Sequence, residues 1–169
     1  RDRIINSALK EFSKNSFDKA STNNIVKDAG ISKGLLYHYF DSKKDLYEHL
    51  QVFTIKITID TILEDIDWEE TDLFKRIKQI ALIKLKVFIR YPYLLDFSRK
   101  LYQKKSIAEM KEMVEDYSPN IYEEVYHRNI DFDLFKDNID NQKVLKMTQW
   151  VLEKLGEEWL NHKIDSASN

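Results

Sequence analysis

The chain has 169 residues, of which 43% are hydrophobic and 33% charged, with a formal net charge of −2. That suits a folded globular chain with room for one small module and one larger domain, and it argues against disorder. Cysteine is absent, which removes disulfides, thiolate metal sites and cysteine nucleophiles and agrees with a reducing cytoplasm. With no run of 18 apolar residues, a membrane span is not expected.

Only three Gly and two Pro interrupt the chain, which favours long helices over many short strands. Arg1 opens directly into a helical pattern, so no signal peptide is expected. In that first segment Ile5, Ala8, Leu9 and Phe12 fall at i, i+3, i+4 and i+7, one face of a helix. The helix is expected to end near Asn15-Ser16 with Asn15 left-handed. Ser21 or Thr22 can cap a short second helix carrying Ile25, Val26 and Ala29, which Gly30 ends. Ile31 is the one apolar residue of the turn, and Ser32 can cap a third helix holding Leu35, Leu36, Tyr37, Tyr39 and Phe40. Ser42-Lys43-Lys44-Asp45 has the form of a capping box and predicts a fourth helix running to about residue 65.

The remainder reads as amphipathic helices with short joints. Thr71 can cap a helix with Leu73, Ile77, Ile80, Ala81 and Phe88, which Pro92 stops. Helices over 93–104 and 106–117 follow, and Pro119 marks a kink or the start of another. Residues 128–140 are acidic and predict a loop with a short helix. A last helix over 141–163 aligns Val144, Leu145, Thr148, Val151, Leu152, Leu155 and Trp159. The predicted fold class is therefore all-α, with an N-terminal domain of three helices over 1–45 and a C-terminal helical bundle over 46–169.

Two short helices joined by a glycine-containing turn have the geometry of a helix-turn-helix. Gly30 permits the tight turn, Ile31 anchors it, and Leu36 and Phe40 at i and i+4 give the second helix a buried side. Lys33, Gly34, Tyr37 and His38 then face outward, a set that suits base edges and thymine methyls in a major groove. Thr22 and Asn23 at one helix N-terminus, and Lys43 and Lys44 at another, stand where backbone N–H groups favour phosphate. Residues 1–50 hold nine Lys/Arg against seven Asp/Glu, while 51–169 hold eighteen against twenty-two. The mildly basic head agrees with phosphate contact. Duller readings stand beside these: Tyr37 and His38 as plain surface, Lys43 and Lys44 as a solvated helix start, and Tyr39 as core.

The run STNNIVKDAGISKGLLYHYFDSKKDLYEHL at 21–50, above all AGISKGLLYHYFDSKKDL, resembles the N-terminal signature of the TetR family of transcriptional regulators. Ser16 departs from it, standing where the family usually has Gly. The resemblance implies a homodimer with one recognition helix per subunit. Lys33, Gly34, Leu35, Tyr37 and His38 would approach bases, and Thr22, Asn23, Tyr39 and Lys43 would approach phosphates of double-stranded operator DNA. It further implies a C-terminal domain that binds a small hydrophobic or aromatic effector and releases the operator, as a repressor does. Phe88, Tyr91, Phe97, Tyr122, Tyr126 and Trp150 are candidates to line that pocket, with core packing as the competing reading of each. Leu152, Leu155 and Trp159 are candidates for the dimer interface, again against core packing.

An alternative keeps DNA binding but makes the body a protein-interaction or architectural module without a ligand. An enzyme on a helical bundle is the third class, but the residues offer it little. His38, His49, His127 and His162 lack metal-ligand spacing, and the adjacent acidic pairs Glu69-Glu70, Glu123-Glu124 and Glu157-Glu158 diverge on a helix. No catalytic residue, cofactor or metal is expected.

Overall fold

The structure is a computed structural model that describes residues 1–136, 140–141, 143–148 and 150–151. The described residues include the α-helices α1 Asp2–Lys14, α2 Thr22–Ala29, α3 Lys33–Tyr39, α4 Lys43–Asp65, α5 Leu73–Arg90, α6 Leu94–Lys104, α7 Ile107–Tyr117 and α8 Ile121–His127 and the 3-10 turn Phe132–Leu134. The described residues 141, 143–148 and 150–151 are helical too, where the last helix was expected. No helix among them is long and apolar enough to cross a membrane.

The predicted apolar spacing is the buried face of α1: Ile5, Ala8, Leu9 and Phe12 are all enclosed, with Ile4 and Ser7 beside them. The cap at its end differs from expectation. Asn15 is extended at φ −115° rather than left-handed, because its backbone and side-chain N–H groups both close on the Glu11 carbonyl. Gly30 does take the left-handed conformation, at φ +64°, where a Cβ would be strained. Ser32 and Ser42 cap α3 and α4, accepting from the amides of Leu35 and Asp45. The expected capping box at α4 is not reciprocal, since the Asp45 carboxylate accepts from the amide of Asp41 rather than of Ser42. At α5 the cap falls one residue later than expected: the Asp72 carboxylate, not Thr71, accepts from the amides of Phe74 and Lys75. Ser106 and Glu109 form a reciprocal capping box at α7. After Pro119 the chain does start another helix, α8.

Two compact units emerge. The first comprises Arg1–Ile66 and Lys78–Ile121, and one apolar cluster runs through it. Ile5, Leu9 and Phe12 of α1 meet Ile25, Leu36, Phe40, Leu46 and Leu50, and the same cluster continues into Val87, Tyr91, Leu94, Phe97 and Leu101. The boundary expected at residue 45 falls inside this cluster, in the first turn of α4. Tyr47 stands at the centre of a ring group, edge-on to Phe12 at 5.0 Å, Phe17 at 5.2 Å and Phe97 at 5.6 Å. Edge-to-face pairs at these spacings hold one another's orientation.

The second unit contains Asp67–Ile77 and the described residues from Tyr122 onward. Leu73, Ile130 and Leu145 form its apolar centre. Arg76 is fully buried and donates to four backbone carbonyls: Glu70 at 2.6 Å, Trp68 and Val125 at 3.3 Å, and Arg128 at 3.5 Å. A planar guanidinium with five donors can gather carbonyls that no apolar residue could satisfy.

Candidate nucleic-acid interface

The second helix of the pair, α3, buries one side and opens the other. Leu36 is 1% exposed and Phe40, its C-cap, 5%, whereas Leu35 and Tyr37 are each 41% exposed and Tyr39 53%. Lys33, Gly34 and His38 are also exposed. The five residues expected to approach bases thus share the solvent side of one short rod. Within it the Lys33 ammonium lies 6.0 Å from the Tyr37 ring centroid, and His38 meets Tyr39 edge-on at 5.3 Å. The Tyr37 hydroxyl stands 3.5 Å from the Thr22 hydroxyl, so the outer face of α3 is continuous with the start of α2. Asn23 is exposed there and Thr22 half-buried.

Gly34 is informative because the protein itself gives it no reason to be glycine. A Cβ built at this position meets nothing nearer than the Ser32 hydroxyl at 3.9 Å. An unforced helical glycine costs about 0.5–1 kcal/mol relative to alanine. Close approach of an external partner is a physical ground for tolerating that cost.

The supporting contacts are those that sequence reasoning missed. Ser21 is the N-cap of α2, but its hydroxyl makes no cap bond. The Glu11 carboxylate of α1 takes the Ser21 amide instead, at 2.9 Å, and also accepts from the side-chain amides of Asn15 and Asn24. One acidic group thus closes the α1–α2 joint and sets the start of α2. No local pattern signals this, since Ser21 and Asn24 lie ten and thirteen residues from Glu11.

Lys43 is turned inward. Its ammonium donates to the carbonyls of Phe17 at 2.8 Å, Ala20 at 3.1 Å and Asp18 at 3.2 Å, and lies 4.7 Å from the Phe17 ring centroid. Those three bonds use every donor a lysine has, so phosphate contact would require their release. Lys44, by contrast, is exposed, with a loose ion pair to Glu48 at 3.5 Å.

The pocket candidates are distributed over both units. Tyr91 and Phe97 are buried in the cluster of the first unit, with Phe88 packed against it. Tyr126 is half-buried and packs against the apolar centre of the second unit, and Tyr122 and Trp150 are 46% and 61% exposed. The interface candidates Leu152, Leu155 and Trp159 lie outside the described residues. Among the described residues no three His, Asp or Glu side chains are grouped so as to hold a metal ion.

Residues 4–50 match the family described as bacterial regulatory proteins, tetR family. Over 157 residues the chain is 24% identical to the biofilm operon icaADBC HTH-type negative transcriptional regulator IcaR of Staphylococcus aureus, covering 92% of this chain and 77% of that one. It is 48% identical over 48 residues to the HTH-type transcriptional regulator UidR of Escherichia coli, covering 28% of this chain and 24% of that one. Among solved structures, the fatty acid degradation regulator FadR of Bacillus halodurans superimposes with a TM-score of 0.66 at 21% identity, covering 94% and 86% of the two chains. FadR of Bacillus subtilis, in complex with stearoyl-CoA, does so with a TM-score of 0.64 at 20% identity, covering 95% and 87%.

Proposed function

We propose that this chain is a TetR-family transcriptional regulator, which binds operator DNA as a homodimer and lets go when a small molecule occupies its helical body. Residues 1–45 read the DNA, and 46–169 serve dimerisation and effector binding. The observation that carries the reading is the two-sidedness of α3: Leu36 and Phe40 are buried while Lys33, Gly34, Leu35, Tyr37 and His38 face outward. In this reading those five approach base edges, and Thr22, Asn23 and Tyr39 touch phosphates and fix register. Lys43 joins them only by leaving its carbonyls.

The relative IcaR is a negative regulator, which supports repression over activation. The Bacillus subtilis neighbour holds stearoyl-CoA, which supports a small hydrophobic effector for a body of this fold. Half-sites on one face of DNA lie about 34–36 Å apart, so a dimer must hold its two α3 rods at that spacing. A ligand that prefers a differently spaced conformer lowers operator affinity by its difference in affinity for the two states. Such a protein works in the cytoplasm beside the DNA, and it is a regulator rather than an enzyme.

Selection of bound sequences from random DNA tests the reading. We expect one enriched, near-palindromic operator. Lys33→Ala and Tyr37→Ala should each weaken it by about 1–3 kcal/mol while leaving random DNA almost unchanged. No enrichment, or equal losses on operator and random DNA, would overturn the assignment.

A further inference from the structure

Beside the α1–α2 joint, within the first unit, a concavity of about 190 Å³ is lined by the aromatic residues Phe12, Phe17 and Tyr47 and by Lys100 and Lys104. Its other lining groups are neutral amides and a hydroxyl, and no carboxylate lines it among the described residues. Lys100 donates to the carbonyls of Phe12 at 3.3 Å and Asn15 at 3.1 Å. An ammonium has three donors, so one remains. Lys104 lies 5.9 Å from the Tyr47 ring centroid and forms no ion pair among the described residues.

Two like charges thus line one notch, and neither Lys100 nor Lys104 forms an ion pair among the described residues. Burial, and then the nearby Lys104, push the Lys100 ammonium below the usual lysine range. Asp96 acts on it in the opposite sense, but that carboxylate is itself bonded to Arg99. An anion brought between Lys100 and Lys104 would relieve the repulsion and take up the unused donor, and hydrogen bonds to charged groups are the stronger ones. A neighbouring groove of about 470 Å³ shares Phe17, Tyr47 and Lys104 but is also lined by Asp18, Glu48 and Glu109, so an anion is better received in the smaller site.

We propose that this notch binds a small aromatic carboxylate, its ring against Phe17 and Tyr47 and its carboxylate on Lys100 and Lys104. Its volume equals about six water molecules at ~30 Å³ each, enough for one ring and its acid group. The site makes no use of DNA, so its failure and the failure of the DNA-binding reading are separate results.

The test is titration of the full chain, without DNA, with benzoate and with the neutral analogue benzamide, followed by calorimetry and saturation-transfer NMR. Benzoate is expected to bind and benzamide not. Lys104→Gln should weaken benzoate about ten- to a hundredfold, the loss of one charged hydrogen bond, while Lys78→Gln on α5 leaves it unchanged. Lys104 is exposed at the end of α6, so the variant keeps the fold, which its circular dichroism would verify. No benzoate binding, benzamide binding as tightly, or an unweakened Lys104→Gln would each overturn the proposal.

Discussion

The ammonium of Lys43 lies 2.8 Å from the carbonyl oxygen of Phe17 and 4.7 Å from the centroid of that residue's ring. One side chain at the start of α4 thus ties down the joint that leads from α1 into α2, satisfying carbonyls that no secondary structure would satisfy. Lys43→Ala should therefore lower folding stability by about 2 kcal/mol, within the range for hydrogen bonds to charged groups, as read from urea denaturation. The salt dependence of DNA binding should hardly change in that variant. Lys44→Ala should do the reverse, leaving stability alone and reducing the salt slope by about one. A Lys43→Ala protein of full stability and flattened salt slope would show that the ammonium deserts the joint for phosphate.

How much of this was legible in the sequence follows from how local each cause is. The apolar stripe of α1, the Ser32 and Ser42 caps and the left-handed Gly30 depend on residues within one or two turns, so spacing alone reveals them. The inner and outer sides of α3 follow from Leu36 and Phe40 at i and i+4. Glu11 holding the Ser21 amide, and Lys43 holding carbonyls more than twenty residues away, are tertiary facts with no local pattern. Arg76 does leave a trace in the sequence. It occupies an apolar-face position of α5, three residues after Leu73 and four before Ile80, where a charge is buried only if it is bonded.

Gly34 offers a test in which stability and function part. Nothing in the protein stands within 3.9 Å of a Cβ built there, so Gly34→Ala should raise folding stability by about 0.5–1 kcal/mol through helix propensity. Operator affinity should fall at the same time by about 1 kcal/mol or more, the scale of a lost base contact. Urea unfolding and operator titration on one preparation give both numbers. If the alanine variant binds its operator as well as the parent protein, the groove does not come close to this position.

Arg76 holds together the joints of the second unit. It has no exposed surface, and its guanidinium serves the carbonyls of Trp68, Glu70, Val125 and Arg128. Arg76→Met keeps the volume but leaves those four acceptors without a donor. The expected loss is about 3 kcal/mol or more, as for other buried charged networks broken from one side. Thermal unfolding should show it directly. A loss below about 1 kcal/mol would mean that water reaches the carbonyls when the guanidinium is gone.

His49 gives the head a pH dependence whose sign can be worked out. Its ring lies edge-on to Phe40 at 5.2 Å, and the Arg1 guanidinium is 3.4 Å from Nε2, a bond that requires Nε2 to be an acceptor and so unprotonated. Burial, and then Arg1, hold the imidazole below its ordinary 6.5, with Asp45 acting in the opposite sense. Below pH 6.5 the unfolded chain therefore binds a proton more readily than the folded one, and stability falls as pH drops through that value toward the depressed folded one. Above 6.5 the contribution is fully present. Carboxylates also titrate as the solution turns acid, so the measurement is a comparison: urea midpoints at pH 7.5 and 5.5 for the parent and for His49→Gln. The parent should lose more between the two values than the variant does, because only the parent carries a ring whose protonation breaks the Arg1 contact beside Phe40. Equal losses in the two proteins would show that the imidazole is protonated as easily in the fold as out of it.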